Sequence, residues 1–216
     1  KPKKDAKLII IIDDVTTNEQ VEKIKSLGYI VNLSFLPPTN IHPNSAKIAQ
    51  NLNSQMIHLP MQATTFSHEE EETLRVDDNY ETIEKKIATL KNLYPKAKFI
   101  NNHTGSKFSE NEEACNNLMK ALAKYNFAFV DSKTSSKSIL CKSAKKYGVE
   151  CFERNIFLDN EQDETYIKTQ LDKAVKLAKK NGFAIAIGHP HKETFDVLMQ
   201  SKNDLNDLRT VYIDNL

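Results

Sequence analysis

Asp and His stand where the apolar runs of this sequence end, and those residues could do chemistry. The run Ala184-Ile185-Ala186-Ile187 meets Gly188-His189-Pro190-His191, and residues 8–12 meet Asp13-Asp14. Met56-Ile57 meets His58, Phe99-Ile100 meets Asn101-Asn102-His103, and residues 127–130 meet Asp131. Such runs read as buried parallel strands, and in α/β folds reactive groups gather at the C-terminal ends of such strands. Adjacent carboxylates repel when both are charged, so Asp13 and Asp14 call for a cation or a shared proton. A turn must bring them to one site, because successive strand residues face opposite ways. Taken alone, the pair is a turn or cap signal. With His58 and His103 it becomes a ligand set. One Asp and two His leave open positions for water and substrate, and zinc or another divalent metal fits them. His189, just past Gly188, is the candidate acid or base near neutral pH.

The surrounding polar residues admit a functional and a plainer reading. Asp131 would orient a histidine or hold Arg154, or else cap the turn at residues 132–135. Arg154 would anchor carboxylates or bind substrate oxygens, or else form a surface ion pair. Asn101, Asn102, Thr104 and Ser106 offer donors to a hydroxylated ligand, and His191 either caps the next helix or supports His189. His42 and His68 lie in polar stretches and read as solvent-facing. The acid run of residues 69–72 reads as a solvated part of a long loop, residues 59–76.

The elements that must position these residues follow from periodicity. Of 216 residues, 8–216 suit one domain, with residues 1–7 a leader or linker. After the first strand, Asn18 is expected to cap a helix that Gly28 stops, and Ser109 with Glu112 to cap another. Residues 164–180 carry an apolar stripe ended by Gly182. Short strands alternate with helices through the chain. That pattern implies a parallel sheet with right-handed crossovers: a distorted or incomplete (β/α) barrel, since a closed one usually takes ~250 residues. A doubly wound sheet is the alternative, but no GxGxxG or Walker sequence supports a nucleotide site, and no GxSxG supports a serine hydrolase.

Lys+Arg total 30 against Asp+Glu 29, a balance that argues against a dedicated nucleic-acid surface. Of the three cysteines, Cys115 is expected to pack as a small apolar residue, and a Cys141–Cys151 bond is the less favoured expectation. No apolar run reaches membrane-span length. The chain begins at Lys1, which leaves room for a leader ahead of it.

From residue 8 to residue 213 the chain resembles the divergent polysaccharide deacetylases, relatives of the chitin and peptidoglycan deacetylases. The resemblance rests on Asp13-Asp14 after an Ile run, Ser34-Phe35-Leu36-Pro37, His58-Leu59-Pro60-Met61, Asn101-Asn102-His103-Thr104-Gly105-Ser106, Asp131-Ser132-Lys133-Thr134-Ser135, Arg154-Asn155-Ile156-Phe157-Leu158-Asp159 and Gly188-His189-Pro190. It implies a distorted (β/α) barrel, Asp13 as base, Asp14 as metal ligand and His189 as general acid. It also implies a divalent metal such as zinc, an N-acetylated glycan substrate and an extracytoplasmic setting. Relatives usually carry both histidine ligands in one HxxxH motif. Here the fourth position after His58 is Gln62, so His103 is assigned as the second histidine ligand. That break favours the rival reading, a catalytically silent barrel that binds glycan or a cell-envelope partner. Hydrolysis of another amide or ester would use the same residues.

Overall fold

The computed structural model describes residues 5–65 and 69–216. Residues 1–4, part of the expected leader, and 66–68, which include His68, lie outside the described residues. The chain divides into two compact units, Lys1–Ser34 with Arg154–Leu216, and Phe35–Glu153.

The first unit is built on β1 (Lys7–Val15), whose residues Leu8, Ile9, Ile10, Ile11 and Ile12 are all fully buried. Burying such side chains contributes roughly 1.5–3 kcal/mol each. After β1 come α1 (Asn18–Lys25) and all but the last residue of β2 (Asn32–Phe35). Later in the chain, β7 (Ile156–Phe157), α6 (Glu164–Asn181), β8 (Phe183–Gly188), α7 (Lys192–Gln200) and β9 (Arg209–Thr210) complete this unit. β1 pairs in parallel with β8, Ile12 opposite Gly188, and β8 pairs in parallel with β7, Ile187 opposite Phe157. Buried Asn32 donates to the carbonyls of Ile10 and Val211 and accepts from the Ile213 N–H, tying the C-terminal segment to β1. Asp163 caps α6 and Gly182, at φ 102°, ends it in a conformation that only glycine adopts cheaply.

In the second unit α2 (Ser45–Gln50), β3 (Met56–Met61), α3 (Tyr80–Leu93), β4 (Phe99–Thr104), α4 (Glu112–Lys124), β5 (Ala128–Asp131), α5 (Leu140–Tyr147) and β6 (Cys151–Glu153) alternate. Its strands pair in parallel in the order β3-β4-β5-β6. The chain is thus an α/β protein with the alternation of an incomplete (β/α) barrel. No helix among the described residues is long and apolar enough to cross a membrane.

Several local expectations are corrected. Strands β1, β3 and β4 do not stop at their first polar residue but carry Asp13, His58, Asn101, Asn102 and His103 within them. These side chains find partners in the fold, so pairing continues past the apolar run. Thr17, not Asn18, caps α1, because its hydroxyl accepts from the Gln20 N–H and Gln20 closes a capping box. Asn111, not Ser109, caps α4. His42 is not solvent-facing, since its ring meets Glu70 at 3.1 Å with 11% of the side chain exposed.

The acid run is solvated, as expected, with Glu69, Glu71 and Glu72 exposed, and it forms surface pairs. Glu69 pairs with Arg75, Glu71 accepts from Asn40, and Glu72 pairs with Lys86. Cys141 and Cys151 are bonded across 10 residues, because α5 and β6 bring their Cα atoms to 5.4 Å, a proximity the sequence does not display. Cys115 is buried and free, as expected.

Candidate active site

In the first unit, strand register delivers the reactive groups. Pairing Ile12 with Gly188 places Asp13 and His189 at the same end of their neighbouring strands. Asp14 has φ 56°, a left-handed conformation costing about 1 kcal/mol, which breaks the strand alternation. Both carboxylates therefore act on one histidine. Asp14 Oδ2 lies 4.0 Å from His189 Nε2, and the charge of Asp13, which is 2% exposed, also bears on His189.

The opposite ring nitrogen of His189 is held by Asp159. Its Oδ1 lies 3.0 Å from Nδ1, while Oδ2 accepts from the His189 N–H at 2.6 Å and from the Thr194 hydroxyl at 2.7 Å. Burial would lower the His189 pKa, but the Asp159 hydrogen bond and the charges of Asp13, Asp159 and Asp14 outweigh it, raising the value to about 9. His189 thus holds its proton at neutral pH. Burial would raise the Asp159 carboxyl, yet the His189 hydrogen bond and charge, the Thr194 hydroxyl and the His189 N–H leave it lowered. Gly188 permits this approach. A Cβ there would sit 3.2 Å from Asp159 Oδ2 and 3.3 Å from Thr194 Cγ2.

Phe157 packs edge-on against His189 at 5.3 Å between centroids, and the Arg154 guanidinium lies 4.9 Å from the Phe157 centroid. Arg154 is therefore half-buried and stacked within its own unit rather than a plain surface charge. His191 occupies the N-cap position of α7 without a side-chain capping bond, and its ring meets Gln162 at 3.3 Å. The ligand atoms of Asp159, His189 and His191 lie within 4.8 Å of one another. Asp159 already receives three donors, so this trio is better suited to holding a proton than a cation.

Replacing Asp159 by Asn should lower the His189 pKa from about 9 in the metal-free protein, because a charge and a strong acceptor are both lost. An NMR titration of the ring proton reads this, and an unmoved midpoint would show that Asp159 does not hold the proton.

In the second unit, β3 and β4 set His58 directly opposite Asn101. His103 follows two residues later on the same face. His58 Nδ1 lies 3.0 Å from Asn101 Oδ1, and His58 Nε2 lies 3.2 Å from His103 Nδ1. Two zinc–nitrogen bonds at a tetrahedral angle span about 3.3 Å. These facing imidazole nitrogens therefore fit a shared divalent ion.

Asn102 accepts from the Ser132 N–H and donates to the Thr104 carbonyl and the Thr134 hydroxyl, which ties the turn after β5 to the end of β4. Asp131 accepts from the Lys133 N–H and the Ser138 hydroxyl, so it caps its turn in preference to orienting a histidine. Burial pushes the Asp131 carboxyl up, against the hydrogen bonds from Ser138 and Lys133. Gln62 accepts from the Val76 N–H through its side chain and from the Lys107 and Phe108 N–H groups through its carbonyl. It fastens two loops together.

Asp159 is the functional group not singled out from sequence. Its signal was present, for Ile156-Phe157-Leu158 is another apolar run ending in Asp. A strand of 2 residues is too short to register as one.

Fold and site together define an α/β protein with a His–Asp pair beside two carboxylates and, in its other unit, a paired-histidine centre. The chain belongs to the divergent polysaccharide deacetylase family, whose model matches residues 10–216. It is 36% identical over 196 residues to the uncharacterized protein YibQ of Escherichia coli K12, covering 90% of this chain but 61% of that protein. The chain thus spans about three fifths of this curated relative. A solved structure of an uncharacterized Agrobacterium tumefaciens protein is similar at a TM-score of 0.84 and 19% identity, covering 99% of this chain and 89% of that one. A CE4 family pseudoenzyme from Bacillus anthracis is similar at a TM-score of 0.51 and 10% identity, covering 98% and 65% respectively. Both likenesses concern the fold.

Proposed function

We propose that this chain is a metal-dependent hydrolase that removes acetyl groups from amide-linked carbohydrate. The observation that carries the reading is the geometry of His189, whose Nδ1 is held by Asp159 at 3.0 Å while its Nε2 lies 4.0 Å from Asp14 and within the field of buried Asp13. Asp14, His58 and His103 would hold the metal, and the facing His58 and His103 nitrogens support that set. A bound divalent metal would supply Lewis-acid polarisation of the acetamide and a more acidic water. Asp13 would accept the proton of the attacking water. His189 would give its proton to the leaving nitrogen, which departs poorly as an anion, and Asp159 would keep that proton and ring in place. Arg154, through Phe157, would steady the His189 ring.

An extracytoplasmic setting is part of the proposal, supported by the Cys141–Cys151 bond, since such bonds persist in oxidising compartments. The second reading, a silent barrel that binds glycan, is favoured by Gln62. Its side chain serves the Val76 backbone at the position where relatives place a histidine. Acetate release from N-acetylated sugar oligomers by zinc-loaded protein separates the two. Release supports the hydrolase, whereas glycan binding without release across a broad substrate panel supports the silent barrel.

A further inference from the structure

Ser132, Asn101, His58 and His103 form one hydrogen-bonded chain within the second unit. The Asn101 Nδ2 group donates to Ser132 Oγ at 3.2 Å, Asn101 Oδ1 meets His58 Nδ1 at 3.0 Å, and His58 Nε2 meets His103 Nδ1 at 3.2 Å. Asn101 is fully buried and His58 is 1% exposed, so solvent does not compete for these bonds. Such a chain can be wired in either direction. With the amide oxygen toward His58, Nδ1 of that ring must carry the hydrogen and donate it. His58 Nε2 then has only its lone pair, and in the metal-free protein it accepts from His103 Nδ1–H. In the reverse wiring Nε2 would carry the hydrogen and could not ligate a cation.

We propose that Asn101 is a positioning residue that fixes His58 as the Nδ1–H tautomer, presenting Nε2 as a ready-made ligand atom. His103 is then the member that changes. When a divalent cation enters between the two nitrogens, the His103 hydrogen moves from Nδ1 to Nε2 by exchange with solvent, and no net proton is lost. His103 is half-buried, which leaves that exchange open, whereas buried His58 is locked. The inference rests on the metal-site reading above. It adds which ring atoms ligate, which residue sets them and which histidine rearranges.

The test uses the whole chain, zinc alone as probe, and nitrogen-15 NMR of the histidine rings. In metal-free wild type, His58 should show the hydrogen on Nδ1. On zinc loading its tautomer should stay, while that of His103 inverts. Asn101→Leu should leave a mixture at His58 and weaken zinc binding about 10–100-fold, the usual effect of losing a partner behind a metal ligand. Asn101→Asp keeps an acceptor oxygen on Nδ1 and should restore both the tautomer and the affinity. If Asn101→Leu fails to fold, Ser132→Ala serves instead. It leaves Asn101 in place but removes the Ser132 acceptor of the amide N–H, so the preference for one amide orientation weakens, and it should give mixed tautomers with weaker zinc binding.

An Nε2–H ring at His58 in the metal-free wild type would overturn the proposal. So would zinc affinity and tautomer unchanged in both Asn101→Leu and Ser132→Ala. Should wild type bind no zinc, the metal-dependent reading fails, while the metal-free tautomers still decide the role of Asn101.

Discussion

Asp13→Asn is expected to reduce acetate release by roughly 10²–10⁴-fold while stoichiometric zinc is retained. Asp13 is buried at the end of β1, and an amide there keeps the shape but cannot accept a proton from water at neutral pH. It also removes one of the charges that hold the His189 proton, so the metal-free His189 pKa should fall from about 9. His189→Ala should lose rate for a different reason, by removing the proton donor. Its loss should be large on acetamides and small on acetyl esters of acidic alcohols, whose leaving groups need no protonation. A His189 that only supported the fold would slow both substrates alike. Parallel kinetics on the two substrates, together with zinc content by elemental analysis, read out all of these effects.

His103→Ala, and separately Asp14→Ala, should abolish stoichiometric zinc binding with the fold intact. Each removes a coordinate bond, and the remaining two ligands cannot hold the ion at ordinary concentrations. The effect should exceed the roughly 10–100-fold expected of removing a residue behind a ligand. Both side chains are half-buried, so truncation leaves no large core cavity. His42→Ala is the control. It gives up the contact with Glu70 and some stability, and should keep zinc at wild-type stoichiometry. Unchanged zinc in His103→Ala would remove that residue from the ligand set.

The sequence displayed the strand–helix alternation and the candidate site residues because both rest on local pattern. Isoleucine runs and their polar ends locate β1 and β8, and the stripe and Gly182 locate α6 almost to the residue. What stayed hidden depends on register and distance. Whether Asp131 or Asp159 supports a histidine is decided by which strand lies beside β8, and that strand, β7, is only 2 residues long. Asn101 and Asn102 look interchangeable in sequence. Strand pairing puts Asn101 beside His58, while Asn102 turns its amide to the Ser132 and Thr104 backbones. The left-handed turn at Asp14 has no marker, because Asp follows Asp with no glycine to announce it. The Cys141–Cys151 bond required knowing that Gly148 reverses the chain between them.

The most direct measurement is zinc content combined with anomalous scattering from a zinc-soaked crystal of the wild-type chain. One zinc per chain, bound by the Asp14 carboxylate, His58 Nε2 and His103 Nδ1 with His189 beside it, is the expected result. Zinc on Asp159, His189 and His191 instead, or no ordered ion at all, would contradict the assignment of a metal-dependent hydrolase.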